Sequence, residues 1–269
     1  MTIVNDIAVV DVLLIERAEN LSSIGGNGDR LIMSSTADVL RRDGHVISET
    51  SEEHVHNFLL KQGRDLPSLI LSMGRSPEIL EWLRCAENAG VRVINTPKSI
   101  RRCSRKYLHT ALLRHGLLPK GNENKGFWVK AGNTSGVHAG NVQYHASYTE
   151  AIKAIRLLDR SGYDDCVITS HIEGEVIKFY GVGDNVYFAV FDSDKHCLSL
   201  PIDQLKQLQH QVCVLIKDIG LEVYGGDAVI THEGCVHVID LNDWPSFSCC
   251  SLEASEAIGR YIKREMKDE

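Results

Sequence analysis

The first third of the chain alternates short apolar runs with amphipathic stretches. The run IAVVDVLLI has the length of a buried strand, and SLILSM and VRVI have the same character. The segments between them carry apolar residues at helical spacing and end at glycines. The predicted order is strand 7–15, helix 35–44, strand 45–48, helix 51–63, strand 68–73, helix 76–90 and strand 91–94. Alternating strands and helices predict a parallel sheet covered on both faces over residues 1–96.

The remainder of the chain has a different order, in which several strands follow one another directly. The predicted elements are helices 98–103 and 104–115, strand 126–132, helix 147–162, three strands within 166–191, helix 202–218, a hairpin within 227–242 and helix 252–267. Strands joined by turns pair antiparallel, so this part is predicted to be α+β.

The hairpin carries the strongest candidate chemistry. Asp227 is predicted at the start of its first strand, and Asp240 and Asn242 at the end of its second, so antiparallel pairing brings all three to one end. Asp240 and Asn242 are two residues apart and point to the same face. Two carboxylates and an amide suit Mg²⁺, because water and nucleotide phosphates complete the coordination shell of this ion. The alternative is that Asp240, Asn242 and Asp243 only form a turn.

Composition narrows the range of partners. The 269 residues are 43% hydrophobic, enough for one large domain or two to three packed lobes. The net charge of −7 argues against binding to nucleic acid or an anionic membrane, but it allows a small anionic ligand in a local basic pocket. Eight cysteines without C-x-x-C spacing are typical of reduced thiols. With no secretory-signal pattern and no membrane-length apolar run, these features predict a cytoplasmic protein.

The segment IDLNDWPSF (239–247) resembles the D-x-N-x-x-P segment of the ATP-grasp superfamily, in its glutathione-synthetase-like branch. That branch includes ribosomal-protein glutamate ligases and ATP-grasp inositol polyphosphate kinases. The resemblance implies an α/β (α+β) fold in which a Rossmann-like N-terminal lobe, residues 1–96, precedes two α+β subdomains that clamp ATP. We expect these at 97–170 and 171–269. It also implies that Asp227, Asp240 and Asn242 hold Mg²⁺ against the phosphates of ATP.

The resemblance assigns phosphate contacts to two lysines. NTPKSIRRCSRKYLHTALLRHGLLP (95–119) is similar to the family's linker, in which the lysine matching Lys106 reaches ATP phosphate. GFWVKAG (126–132) is similar to the strand that carries a second phosphate-binding lysine, here Lys130. The following loop, 133–141, would be a mobile flap over the triphosphate. From the residues alone, Lys106 and the neighbouring arginines fit a solvated helix face better than a phosphate site.

Residues 166–191 resemble the family's adenine hinge and the strand pair after it. The resemblance implies adenine contacts from Ser170, His171 and Ile172, mostly through backbone, ribose contacts from Glu175, and phosphate or acceptor contacts from Lys178. Glu175 and Lys178 are three residues apart, so they cannot share a face of a flat strand. Either the strand bends or one of these roles is wrong. The family's arginine after this strand pair is missing from DSDKHCLSLP (192–201).

The acceptor site is expected at the carboxyl ends of the parallel strands, where α/β sheets bind ligands. The candidates there are Arg17 and Arg75. The resemblance adds His138 in the flap, which matches a histidine near substrate in the inositol kinases, and Ser246 and Ser248 beyond the metal segment.

Three functions are compatible with these features. The first is an ATP- and Mg²⁺-dependent carboxylate–amine ligase that works through an acylphosphate on a small-molecule or peptide substrate, with Lys130 and Lys178 as catalytic residues. The second is a kinase for a small polyol or inositol-type hydroxyl, favoured by His138. The third is a module that binds nucleotide without turnover. Because the family often forms dimers, we also expect a homodimer.

Overall fold

The computed structural model describes residues 10–18, 27–55, 66–119, 125–132, 142–163 and 165–265. The strands are β1 (Val12–Glu16), β2 (Ile47–Ser51), β3 (Leu69–Ser72), β4 (Arg92–Ile94), β5 (Phe127–Lys130), β6 (Val142–His145), β7 (Val167–Ser170), β8 (Glu175–Val182), β9 (Tyr187–Phe191), β10 (Val223–Ile230) and β11 (Val236–Asp243). The helices are α1 (Asn27–Arg42), α2 (Pro77–Asn88), α3 (Pro97–Arg102), α4 (Arg105–Arg114), α5 (Tyr148–Arg160), α6 (Ile202–Ile219) and α7 (Ser251–Glu265).

The N-terminal strands form a parallel sheet in the order β2-β1-β3-β4. Successive residues of β1 enter different cores, as the pleat of a strand requires. Val12 and Leu14 pack in a core that includes Ile32 of α1, whereas Leu13 and Ile15 pack in a core that includes Leu83 of α2. The prediction of a parallel sheet covered on both faces is therefore confirmed.

Two antiparallel sheets follow. The sheet β6-β5-β7 packs Phe127 and Val129 against Ala154 of α5, and the sheet β11-β10-β8-β9 is covered on one face by α6. The apolar stripe of α6, which includes Leu208 and Leu215, is buried as its spacing predicts. The mixed α/β (α+β) fold class is confirmed. No helix in the described part of the chain is both long enough and apolar enough to span a membrane.

Some predicted boundaries were wrong. Helix α1 begins at Asn27 rather than Ser35, so the end of the glycine-rich segment is helical, and β2 lies at Ile47–Ser51 rather than 45–48. Strand β10 begins at Val223, four residues before Asp227, because its pairing with β8 continues in that direction. Most of the helix predicted at 51–63 and the whole flap at 133–141 lie outside the described residues.

The parallel sheet is joined to the C-terminal sheet by buried polar contacts. Asn95, which follows β4 and is fully buried, donates from Nδ2 to the Val223 carbonyl at 2.7 Å. Its Oδ1 accepts the backbone N–H groups of Glu222 at 2.8 Å and Val223 at 3.0 Å. The indole of Trp244, beyond β11, donates to the Ile94 carbonyl at 2.9 Å. The ends of β4, β10 and β11 are thus held together at one point.

We predict that Asn95→Ala strongly destabilises the protein. Removing the amide leaves the backbone N–H groups of Glu222 and Val223 without their acceptor, and each orphaned group costs about 1–3 kcal/mol. The expected loss in the free energy of unfolding is at least about 2 kcal/mol, measured by chemical denaturation. The matched control is Asn88→Ala at the exposed end of α2, which should change stability by less than about 0.5 kcal/mol. Equal effects of the two variants would contradict the assigned role of Asn95.

Candidate functional site

A cleft of about 480 Å³ lies between the sheet β6-β5-β7 and the sheet β11-β10-β8-β9. Its walls are largely apolar, and its charged groups are gathered on β5, β10 and β11. The residues that line it are His109, Leu112, Leu118, Pro119, Trp128, Lys130, Val142, Ile168, Thr169, Ser170, His171, Ile172, Val176, Asp227, Val229, Val238, Ile239 and Asp240. This volume is in the usual range for small-molecule sites, which are mostly apolar with a few convergent polar groups.

Strand β5 shows how the sequence builds one wall. Its buried residues Phe127 and Val129 face α5, so the alternate residues Trp128 and Lys130 face the cleft. Lys130 donates from Nζ to the Ile239 carbonyl of β11 at 2.9 Å, which spans the cleft from one sheet to the other. The predicted phosphate-binding lysine therefore lies at the charged end of the cleft.

The predicted hinge follows β7, at the edge of its sheet. The His171 N–H donates to the Gly126 carbonyl at 2.8 Å, so the backbone of His171 points towards β5. Because successive residues of an antiparallel strand point to opposite edges, the peptide groups of Ser170, the last residue of β7, point away from β5. In the described part of the chain no strand pairs with that edge. Of the three predicted hinge residues, Ser170 thus offers backbone groups at this edge, His171 turns its N–H to β5, and Ile172 lines the cleft.

The side chain of His171 has a different partner. Trp128 donates from its indole Nε1 to His171 Nδ1 at 2.9 Å, and Tyr144 packs edge-on against both rings. An indole N–H only donates, so the neutral imidazole carries its proton on Nε2. Sequence reasoning missed Trp128, although its place two residues before Lys130 on the same strand face is a signal that pointed to the cleft.

The two carboxylates and Lys178 lie in one row across three strands. In the register, Asp227 of β10 faces Asp240 of β11 on one side and Lys178 of β8 on the other. Lys178 donates from Nζ to Asp227 Oδ1 at 2.8 Å. A register shift beside Asp227 and Ala228 gives β11 one extra residue, Ile239. Pairing brings Asp227 and Asp240 together as predicted.

Asn242 lies two residues beyond Asp240 and opposite Gly225. The glycines are required here because a side chain at Gly226 would overlap the Asp240 carbonyl and the Phe179 ring, and one at Gly225 would overlap Pro245. The two glycines therefore let β11 approach β10 closely at the carboxylate row.

Burial dominates the electrostatics of the charged end. It raises the pKa of Asp240, against the effects of Lys130 and Arg105, and the nearby Asp227 raises it further. Burial also lowers the pKa of Lys130. The nearby Arg105 lowers it further, and Asp240 acts in the opposite direction. One oxygen of Asp240 accepts the Leu241 N–H at 3.0 Å. In the described part of the chain no cluster of three His, Cys, Asp or Glu side chains is arranged to hold a metal ion.

Lys106 is not brought to the cleft. Its ammonium is 64% exposed and pairs with Asp165 at 2.6 Å. The preceding residue, Arg105, instead donates to the Ala131 carbonyl at 2.6 Å and lines a side cavity with His109, Lys130 and Asp240. The sequence did not single out Arg105, because a run of basic residues at 101–106 does not show which of them faces the core of the protein.

Glu175 is not brought to the cleft either. The pairing of β8 with β10 is continuous from 175 to 182, so the strand does not bend between Glu175 and Lys178. Val176, on the same side as Lys178, lines the cleft. Glu175 and Lys178 therefore lie on opposite faces of β8, and the ribose role of Glu175 stays a prediction.

The two arginines predicted for the acceptor hold the segment after β11. Arg75 forms an ion pair with the buried carboxylate of Asp243 and donates to its carbonyl at 3.1 Å. Arg17 donates to the Trp244 carbonyl at 3.0 Å and lies 3.5 Å from Asp29. Both arginines thus have partners within the protein, and their contact with a substrate stays a prediction.

The other acceptor candidates are less constrained. Ser246 packs against Gly28 at the start of α1, where an added Cβ would lie 3.0 Å from the Ser246 Cβ. Ser248 is exposed, and His138 lies outside the described residues.

Comparison with known proteins was made by sequence and by structure. No protein-family model matches the sequence, and no curated protein matches it. Among solved structures, D-alanine–D-alanine ligase from Bacillus anthracis is 13% identical, with a TM-score of 0.69 over 96% of this chain and 99% of that chain. The ATP-grasp ligase PsnB complexed with a minimal precursor is 14% identical, with a TM-score of 0.68 over 96% and 99%.

A third match is a RimK domain ATP-grasp protein from Sphaerobacter thermophilus, 15% identical with a TM-score of 0.63 over 94% of this chain and 99% of that chain. Other matching structures are complexes of the Bacillus ligase with ATP and of PsnB with Mg and ADP. At these identities the likeness is one of fold, and the expected architecture is confirmed.

We predict that Asp240→Asn leaves the ligand-free protein at least as stable as the original at pH 7. A raised pKa means that ionising Asp240 costs free energy in the folded state, and this cost is present above the ordinary aspartate pKa of about 4. The neutral amide removes the cost, while Lys130 keeps the Ile239 carbonyl. Thermal unfolding should show a Tm difference that shrinks as the pH falls from the raised pKa of Asp240 towards about 4 and is absent below that pH. A variant clearly less stable at pH 7 would contradict the assignment.

Proposed function

We propose that this chain, which has the ATP-grasp fold, is an ATP- and Mg²⁺-dependent ligase that joins a carboxylate to an amine through an acylphosphate. The observation that supports this most directly is the cleft between the two antiparallel sheets. One end offers Ser170, at the open edge of β7, and Ile172, and the other gathers Lys130, Asp227 and Asp240. A nucleotide has the same division between an uncharged base and a charged triphosphate.

In the proposed complex the base lies against the edge of β7. The Ser170 carbonyl accepts from an amino group of the base, and the Ile172 N–H donates to a ring nitrogen. The apolar walls, which include Leu112, Val176 and Ile239, cover the faces of the base. The triphosphate then extends to Lys130 and Arg105, whose charges neutralise phosphate oxygens.

The residues present fit a bound Mg²⁺. Two carboxylates face each other on β10 and β11, and such like-charged pairs are unfavourable without a cation. Asp227, Asp240 and Asn242 would hold the ion, and its positive charge would polarise the phosphate oxygens and stabilise the charge that develops during transfer. Three side chains, two carboxylates and one amide, would leave the other positions around the ion to water and phosphate, as Mg²⁺ prefers.

The chain's own residues position the reactants. Phosphoryl transfer is catalysed mainly by orientation and charge neutralisation, so Lys130 and Lys178 suffice without a protein nucleophile. The γ-phosphoryl group passes to a substrate carboxylate, which releases ADP. An amine then attacks the acyl carbon, and phosphate leaves as the amide forms.

The ligase is preferred to the kinase because the matching structures described above are ligases. His138, the residue that favoured a kinase, lies outside the described residues. PsnB is described in complex with a precursor peptide and the Bacillus enzyme acts as a D-alanine ligase; by analogy we propose an amino acid or peptide as substrate. We also propose that the reaction takes place in the cytoplasm, and that lobes 1–96, 97–170 and 171–269 are its structural units.

We predict that the protein, incubated with ATP, Mg²⁺, hydroxylamine and a panel of amino acids and peptides, forms ADP, phosphate and a hydroxamate. Asp240→Asn and Lys130→Met should each lower ADP formation by about 10²–10³-fold, as the loss of one charge-stabilising group does in other enzymes. Phosphorus NMR and a colorimetric hydroxamate assay measure the products.

The matched control is Asp159→Asn on the exposed side of α5, which should keep full activity. A stable phosphate ester with no hydroxamate would contradict the ligase and indicate a kinase. Full activity of Asp240→Asn would contradict the proposed metal site.

A further inference from the structure

The ion pair between Lys178 and Asp227 has a consequence for the order in which the site fills. Lys178 Nζ lies 2.8 Å from Asp227 Oδ1, so the ammonium occupies one of the carboxylate oxygens that a metal ion would use. The two residues are directly opposite in the register of β8 and β10, so this pairing is built into the sheet. Lys178 therefore competes with a metal for Asp227.

The whole row has an alternating arrangement of charge. Lys178 covers Asp227, and on the other side Lys130 lies near Asp240, bonded to the adjacent Ile239 carbonyl. The two carboxylates are thus each accompanied by one ammonium before any ligand binds. A divalent cation that enters alone meets a site already neutralised by lysines and must lie close to both ammonium groups, which repel it.

The exposure of the pair allows the lysine to move. The Lys178 side chain is 47% exposed and that of Asp227 is 26% exposed, whereas Asp240 and Lys130 are held in the buried part of the cleft. A partly exposed ion pair contributes little stability and is easily exchanged. A triphosphate placed at the charged end offers Lys178 a new anionic partner.

We propose that Lys178 is a positioning residue that makes metal binding depend on nucleotide: it neutralises Asp227 in the ligand-free protein and transfers to nucleotide phosphate when the metal and nucleotide bind together. This inference rests on the proposed nucleotide site. It explains why a lysine that pairs with a metal-ligating carboxylate does not simply weaken the site. Free Mg²⁺ binds poorly, and the metal–nucleotide complex binds well.

The test measures Mn²⁺ binding to the intact protein by electron paramagnetic resonance, with and without ADP. In Lys178→Met, Mn²⁺ alone should bind about tenfold more tightly than in the original protein, within the usual range of coupling between two ligands. Mn²⁺ with ADP should bind about tenfold more weakly, because the phosphate loses its lysine. Lys178→Arg keeps the charge and should retain the original preference for Mn²⁺ with ADP.

Opposite changes in the two affinities separate this role from simple loss of structure, which weakens both. The matched control is Lys217→Met, which removes an exposed lysine paired with Asp184 at 3.1 Å and should change neither affinity. Unchanged or weaker binding of Mn²⁺ alone to Lys178→Met overturns the inference. If the original protein binds neither Mn²⁺ with ADP nor Mg²⁺ with ATP, the proposed function itself fails.

Discussion

Two carboxylates facing each other across β10 and β11 set the condition that the rest of the site must meet. Asp227 and Asp240 lie opposite in the register, and burial already raises the pKa of Asp240. Such a pair is stable only with nearby positive charge, which Lys178 and Lys130 supply from two other strands. In the proposed complex a divalent cation takes over this neutralisation, and the lysines turn to the triphosphate.

The parallel sheet supports this row from behind. Asn95 at the end of β4 bonds to Val223 at the start of β10, and Arg75 beyond β3 bonds to Asp243 at the end of β11. Trp244 is buried with a left-handed backbone, a conformation that its indole bond to Ile94 helps to hold. The N-terminal lobe thus fixes the end of the hairpin at which β10 begins and β11 ends.

Local sequence patterns were enough to predict most helices and strands and the pairing of the two carboxylates. Serine N-caps at Ser76, Ser104 and Ser147 accept the expected backbone N–H groups. The hairpin that brings Asp227 to Asp240 depends on a turn and on alternation, both local. Lys106 and Glu175 could not be placed in this way, because a helix's rotation and a strand's facing side depend on what they pack against.

The sequence by itself determined the order of strands and helices, the parallel first sheet and the pairing of the carboxylates, because period and turn chemistry act over a few residues. Only the tertiary structure decided that Arg105 rather than Lys106 approaches the cleft, and that Arg17 and Arg75 brace the chain within the protein. It also decided that the His171 N–H faces β5 and leaves Ser170 at the open edge. Each of these outcomes depends on contacts between residues far apart in the chain, which no local pattern encodes.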